Sequence, residues 1–447
     1  MHQTVALGDH VVSRWMASYA SNSCTIEVDF RSLSNGLTTD RYTHLIHPYP
    51  AKLLPQIPYF LLRAGLLAPR SGELIVADPF CGSGTVLLEG LLRGHTVLGA
   101  DSNPLARLIS RVKTTALPAA HIATGVARIR SQTQQLHRAD APSVVNLAHW
   151  YKPSVARELA KIKKTIDELE PGAIHDFMRV CLSVCARKMS NADPRISVPV
   201  RINLARKEKY GRHYPELRRH LHTLKATNVL PTFEAIALKN SARTDALVSI
   251  ISNECPAAIL DNVTEIGGEE LREKVDLIIT SPPYLGAQKY IRTSSLGLGW
   301  LDLAGHGQLR PLERKTIGRE HLSKIESTQT KTVELPAAAK IIEKIEAINS
   351  ERASIARAYI TEMYAAISSM FTSLKPGGIA VIVVGSNTVC GMQFDTPGYL
   401  EELAHRVGFQ TVFDLVDRIR SRGLLTKRHP TADLIATERI IGLRKPA

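Results

Sequence analysis

The chain has 447 residues, 44% of them hydrophobic, enough for two or three domains or for one large domain carrying an insertion. Its formal charge is +14, and such an excess favours a polyanionic partner, since each phosphate neutralised releases counterions. No apolar run approaches the roughly 20 residues of a membrane span, and six cysteines without a CxxC pair (Cys24, Cys81, Cys181, Cys185, Cys255, Cys390) argue against a zinc ribbon and for reduced thiols.

Residues 1–40 carry little pattern, and "MHQTVALGDHVVSRWMASYA" lacks the basic, apolar and small-residue blocks of a secretory signal. A soluble cytoplasmic protein is the expectation. Then "HLIHPYPAKLLPQIPYFLLRAGLL" passes from a proline-punctuated segment into a helical one. Next come a strand, "ELIVADPF", a glycine turn, "CGSG", a helix, "TVLLEGLLRG", and a second strand, "HTVLGAD". This β-turn-α-β order predicts a parallel sheet.

From about residue 117 to 245 the texture turns helical and basic. Arg201–Lys225 holds eight Lys/Arg against two Glu. Strands return at "PAAILDN" and "VDLIITSPPY", a long helical pattern runs from "AAAKIIEK" to "SSMFTSL", and "IAVIVVGSN", "TVFDLVDRI" and "DLIATERIIGLRK" close the series. The expected architecture is α/β, a mostly parallel seven-stranded sheet with a basic helical insertion. The expected divisions are an N-terminal extension (1–40), two parts of one catalytic domain (41–116 and 246–447), and the insertion (117–245).

Two stretches carry chemistry. In "VADPFCGSGTVLLEG", Asp78 ends a strand and Gly82 and Gly84 form the turn before a helix, where glycine lets a ligand approach the backbone. It is not a phosphate loop, which needs Gly-Lys-Ser/Thr. The second strand ends in "GADSNP", placing Asp101 where an acidic residue accepts hydrogen bonds from ribose hydroxyls. An adenosine cofactor without phosphates at the turn fits, S-adenosylmethionine better than NAD. The other stretch is "TSPPY". Two prolines end an apolar strand, and proline cannot donate to a ladder, so the corner leaves carbonyls unpaired.

Together "DPFCGSGT", "GADSNP" and "TSPPY", with "HPYPAKLLPQIP" ahead of them, resemble the S-adenosylmethionine-dependent DNA amino-methyltransferases, which methylate cytosine N4 or adenine N6. The likeness takes in about residues 44–115 and 255–445. It implies a Rossmann-like methyltransferase fold, S-adenosyl-L-methionine as cofactor, no metal, and double-stranded DNA as partner, with restriction or defence-system proteins as further candidates. Carried over by residue, Pro79, Phe80, Gly82 and Gly84 would line the methionine end and Asp78 would meet its amino group. Asp101, beside Asn103, would bind the ribose and Asp261 the adenine, while His47 and Lys52 would orient the cofactor. Ser281, Pro282, Pro283 and Tyr284 would form the catalytic corner: Ser281 and the Pro282 carbonyl accept from the amine, and Tyr284 stacks on a flipped-out base. Ser-Pro-Pro-aromatic goes mostly with cytosine N4 in that family. Adenine N6 methylation is the alternative, followed by RNA guanine N2 methylation and a silent DNA-binding regulator. C5 methylation is excluded, because Cys255-Pro256 reverses the Pro-Cys pair it needs.

For DNA contact the basic run offers Arg206, Lys207, Lys209, Arg212, Arg218 and Arg219. "LERKTIGREHLSK" (312–324) and "RIRSRGLLTKR" (418–428) compete with it. "SNADPRISVPVR" (190–201) reads equally as a DNA-facing loop or a structural junction.

Overall fold

A computed structural model describes residues 2–34, 36–65, 67, 73–251, 257–286, 289–322, 334–419 and 435–447, with side chains from residue 9 onward. Ten strands are described: β1 (Ile26–Val28), β2 (Ile75–Asp78), β3 (Thr96–Ala100), β4 (Ala258–Leu260), β5 (Val275–Thr280), β6 (Leu374–Val384), β7 (Asn387–Val389), β8 (Met392–Phe394), β9 (Gln410–Arg418) and β10 (Thr437–Arg444). Eight form one sheet in the order β1-β9-β10-β6-β5-β2-β3-β4. All pair parallel except β10, which is antiparallel to both neighbours. The remaining two strands make a small hairpin.

The mostly parallel sheet matches the expectation, with an eighth strand added at the edge. That strand, β1, comes from the first 40 residues, where three residues give too short a period to read. The helix His2–Asn22 packs against β9. Its Trp15 is 2% exposed, with ring centroids 5.5–6.1 Å from Phe30, Phe60 and Phe413.

Alternate residues of the central strands feed opposite faces. Val76, Leu277, Ile279, Val381 and Val383 join the Trp15 side. Ala77, Ile278, Ala380, Ile382 and Val384 pack under the helix Ser350–Ser373. Burial on both faces is why these strands read as continuous apolar runs. The long helical pattern before β6 divides in two, Pro336–Ile348 and Ser350–Ser373. Asn349 leaves the helical region (φ −156°) and its side chain accepts from the Arg352 N–H to cap the second helix.

The chain runs outward from β2 through β3 to β4, then returns to β5 beside β2 and runs the other way. The β2/β5 boundary is therefore the switch point of the sheet, where open α/β folds leave a crevice at the carboxyl ends of the strands. The helices Ala119–Gln135, Pro153–Asp167, Ala173–Lys188 and Val229–Asp245 share one apolar cluster with Leu105 and Ile109 on one side and Leu298 and Trp300 on the other. This bundle also supports the "HPYPAK" loop: Asn240 Nδ2 donates to the Ile46 carbonyl and Arg243 to that of Leu45.

Candidate active site

The crevice at the switch point is an open pocket of about 670 Å³, solvent at its mouth included. That lies within the ~300–1,000 Å³ of small-molecule sites. Pro79, Phe80 and Gly82 enter it after β2, Asp101 to Asn103 after β3, Asn262 and Val263 after β4, and Ser281 and Pro283 after β5. Tyr49 and Ala51 close one side, Tyr290 and Ile291 another, and Lys315 to Ile317 a third.

The glycine turn is built for close approach. Gly82 (φ +51°) and Gly84 (φ +75°) both lie in the left-handed region. A Cβ on Gly84 would stand 2.9 Å from Ser110 Oγ, so this glycine is held by packing as well as by backbone. Ser110 Oγ donates to the Gly82 carbonyl at 2.9 Å, and the Cys81 N–H donates to the Ala100 carbonyl at 2.9 Å, which bolts the turn to β3. Cys81 itself is buried.

Asp101 is the best-held acid of the pocket. Its carboxylate accepts from the Asn103 N–H at 2.7 Å and the Gly82 N–H at 3.0 Å. Burial nevertheless pushes its pKa up to about 6, against the lowering effect of those two bonds. Asp78 stands behind the wall rather than in it. It is 4% exposed, and one oxygen accepts from Thr280 Oγ1 at 2.6 Å and the Phe80 N–H at 3.1 Å. Burial pushes it up to about 7. Its bond to Thr280 ties the end of β2 to the residue before Ser281, so one side chain registers the glycine turn against the proline corner.

The other singled-out residues fall into three groups. Asn103 lines the pocket but is committed: its Oδ1 caps the helix Pro104–Lys113, and its Nδ2 donates to Tyr49 Oη and Ser294 Oγ. Asp261 is exposed and pairs with Arg107 at 3.0 Å, while its neighbours Asn262 and Val263 face the pocket. His47 and Lys52 lie outside the lining. Lys52 donates to the His44 and His47 carbonyls, which holds the "HPYPAK" loop, and burial brings its pKa down to about 8. His47 Nε2 meets Ser183 Oγ at 3.1 Å, and burial keeps the ring neutral, down to about 3.

At the corner, Ser281 and Pro283 face the pocket, and the Pro283 carbonyl accepts from Tyr359 Oη at 3.0 Å. Pro282 is buried. Tyr284 is 8% exposed and does not line this pocket: its Oη donates to Glu438 at 3.0 Å and its ring sits in the core beneath the helix Ser350–Ser373. The aromatic faces on this pocket are those of Tyr49, Phe80 and Tyr290. Sequence reading passed over Tyr290 and Asn262, which no motif marks. Tyr49 stands inside a quoted motif, "HPYPAK", and could have been named from it.

Arg206, Lys207, Lys209, Arg212, Arg218 and Arg219 are all exposed and do not line the pocket. They sit on a small unit with its own core of Ile202, Tyr210 and Leu217. Arg218 and Arg219 border an open groove with Tyr214, Pro215 and His222. The 312–324 segment reaches the pocket through Lys315 to Ile317, while Arg319 pairs with Glu362 and Glu320 with Lys289; positions 323 and 324 lie outside the described residues. Of the 418–428 segment Arg418 pairs with Glu27, and 420–428 lie outside the described residues, as does Cys255. The 190–201 segment is internally bonded: the Asp193 N–H donates to the Val200 carbonyl, and Arg187 donates to the Asp193 and Ile196 carbonyls.

Among the described residues no cluster of three or more His, Cys, Asp or Glu could hold a metal, and no helix is long and apolar enough to cross a membrane.

No family model matches the chain. Over 412 residues it is 24% identical to the Type II methyltransferase M.MvaI of Kocuria varians, covering 88% of this chain and 87% of that one. A shorter stretch of 74 residues is 40% identical to the Type II methyltransferase M.MjaII of Methanocaldococcus jannaschii, 16% of this chain and 13% of that one. Among solved structures, the DNA modification methylase TTHA0409 of Thermus thermophilus, complexed with S-adenosyl-L-methionine, aligns at 20% identity and a TM-score of 0.22, over 41% of this chain and about half (53%) of that one. The rRNA methyltransferase aviRa of Streptomyces viridochromogenes aligns at 12% identity and a TM-score of 0.32, over 93% and 96%.

Proposed function

We propose that the chain is an S-adenosylmethionine-dependent DNA methyltransferase that modifies the N4 amine of cytosine in a base turned out of the duplex. One observation carries this reading. Phe80, Gly82 and Asp101 of the cofactor-type turns and Ser281 of the proline corner, far apart in sequence, face a single pocket. The near full-length likeness to a Type II methyltransferase supports it.

The residues suit the cofactor. Asp101 presents a carboxylate to a ribose, and Gly82, held at φ +51° in the pocket wall, leaves the backbone open to a ligand's close approach. Tyr49, Phe80 and Ile291 supply flat and apolar wall. The bound cofactor supplies an electrophilic methyl group on a sulfonium.

The protein's own task is to make a poor nucleophile attack. A base amine delocalises its lone pair into the ring. Ser281 Oγ and the Pro282 carbonyl accept its two hydrogens and favour a pyramidal nitrogen, and the prolines fix these acceptors before the substrate arrives. The nitrogen lone pair forms the N–C bond as the S–C bond breaks, and the amine proton leaves to solvent. No covalent enzyme intermediate is required. Ser281 at the first position of the corner supports cytosine N4 over adenine N6. The exposed arginines of the 201–225 unit supply phosphate contacts, and a restriction or defence system is the setting that such an activity fits.

The test is methylation of unmodified duplex DNA with radiolabelled cofactor, followed by mass spectrometry of the nucleosides. N4-methylcytosine is expected. N6-methyladenine would replace the base assignment, and label in RNA alone would overturn the DNA reading.

A further inference from the structure

The proline corner is short of donors. Pro282 and Pro283 have no N–H, so the buried carbonyls around them must be satisfied from other parts of the chain. Contacts from three separate elements hold the corner. Thr280, the residue before Ser281, donates from Oγ1 to Asp78 at the end of β2. Tyr359, in the helix Ser350–Ser373, donates from Oη to the Pro283 carbonyl at 3.0 Å. Asn387, the first residue of β7, donates from Nδ2 to the Leu285 carbonyl at 2.7 Å. Among the described residues none donates to the Pro282 carbonyl between these points.

The bond at Pro283 bears most directly on the chemistry, because Pro283 lines the cofactor pocket beside Ser281. An amine has two hydrogens to place, and a loose Pro283 carbonyl would add a third acceptor to the two that the reaction uses. Tyr359 is well suited to hold it. The side chain is 1% exposed, and its ring lies edge-on to Phe394 at 6.5 Å between centroids. Burial keeps the phenol above its ordinary pKa, so the hydroxyl remains a donor. Gly318, at φ +73°, packs against both partners: a Cβ there would stand 3.6 Å from Tyr359 Cδ2 and 2.8 Å from the Tyr284 carbonyl oxygen. Its own carbonyl accepts from the Gly286 N–H at 3.1 Å, which closes the far end of the corner.

We infer that Tyr359 is a positioning residue for methyl transfer: its hydroxyl binds the Pro283 carbonyl and so leaves Ser281 Oγ and the Pro282 carbonyl as the acceptors that the base amine meets. The two acceptors must hold both hydrogens while the nitrogen lone pair points along the methyl–sulfur axis, a geometry with little tolerance. Without the hydroxyl, the Pro283 carbonyl is left buried and unpaired. It regains a donor by turning its peptide plane toward the amine, which then sits bound in the wrong orientation. The loss therefore falls on the rate of transfer and not on binding. Tyr359 touches neither the base nor the cofactor and acts through the corner alone. The inference rests on the methyl-transfer reading above and adds the residue that keeps its acceptors in place.

The test compares Tyr359→Phe with a matched control, Tyr151→Phe, on duplex DNA that the wild type methylates. Both changes remove one hydroxyl and keep the ring. Tyr151 is 2% exposed and its Oη donates to the Ala186 carbonyl at 3.0 Å, but it lies in the helical cluster rather than in the one that holds the corner. Tyr359→Phe is expected to lower the single-turnover rate of methyl transfer about thirtyfold, within the range that misplacement of a reacting group costs. Cofactor Kd by calorimetry and DNA Kd by anisotropy should stay within about twofold, a split that marks an interaction made in the transition state. Tyr151→Phe should keep the wild-type rate to within about twofold, whatever its shift in melting temperature. A Tyr359→Phe rate within about threefold of wild type would overturn the inference and leave the methyltransferase reading intact. So would an equal rate loss in Tyr151→Phe, or a tenfold loosening of cofactor in Tyr359→Phe, since either would mark a general loosening of the fold. A wild type that transfers no methyl to DNA would overturn that reading and this inference together.

Discussion

Replacing Asp101 with alanine tests the cofactor site most sharply. The carboxylate accepts from the Gly82 and Asn103 N–H groups at 3.0 and 2.7 Å, and it faces the pocket that the ribose would fill. Two hydrogen bonds from ribose hydroxyls to a charged acceptor are worth about 1.5 kcal/mol each at the low end, so their loss weakens binding by about 3 kcal/mol. That is roughly a hundredfold in Kd. The assay is titration calorimetry with S-adenosylmethionine, alongside a thermal melt to separate any loosening of the turn. The proton linkage gives a second signature. The free-site pKa is raised to about 6, so the carboxyl gains its proton as pH falls through that value and ceases to be a pure acceptor. Affinity should therefore fall about tenfold per pH unit below 6. Asp78, pushed up to about 7, titrates nearby, so the portion due to Asp101 is the part that Asp101→Asn removes. An Asp101→Ala protein that binds the cofactor within about twofold of wild type near neutral pH would refute the reasoning.

Further predictions concern other links of the account. Ser281→Ala should lower kcat about a hundredfold with cofactor Kd unchanged, because one preorganised acceptor is lost at the reacting amine; single-turnover methyl transfer measures it. Gly84→Ala should destabilise the fold by about 1–2 kcal/mol from the left-handed backbone alone, with more from the 2.9 Å contact to Ser110, read as a lower urea midpoint. Lys113 is fully buried, donates to Ser83 Oγ, and burial holds its pKa well below that of a free lysine. The unfolded chain then binds the extra proton, so wild-type stability should rise with pH on the approach to the free-lysine value of 10.5, and Lys113→Met should flatten that slope. Arg218→Glu with Arg219→Glu should weaken DNA binding and reduce the salt slope by about 2, with cofactor affinity unchanged, in fluorescence anisotropy at several salt concentrations.

Much of the pocket's lining was legible because the turns that form it are local. A strand, a glycine turn and a helix in sequence must place Phe80 and Gly82 at a strand end, and β3 must bring Asp101 beside them. What escaped was set by distant partners. Tyr284 reads as a stacking ring, but its hydroxyl finds Glu438 on β10 and its ring packs in the core cluster beneath the helix Ser350–Ser373. Asp261 reads as an adenine contact, yet Arg107 draws it aside and leaves Asn262 to face the pocket. Trp15 and β1 gave no signal, because a three-residue edge strand and a helix of weak amphipathicity acquire meaning only against β9. The division at Asn349 was legible in principle, since Asn before Ser-Glu-Arg is a helix start inside an otherwise continuous pattern.

The central claim is transfer of a methyl group to an exocyclic base amine in DNA. Expression of the chain in a host without DNA methylation, followed by genome sequencing with base-modification detection, tests it directly. The account predicts N4-methylcytosine at one recurring motif, absent when Ser281 is alanine. A genome with no modified base, from cells that make the folded wild-type protein, would contradict it.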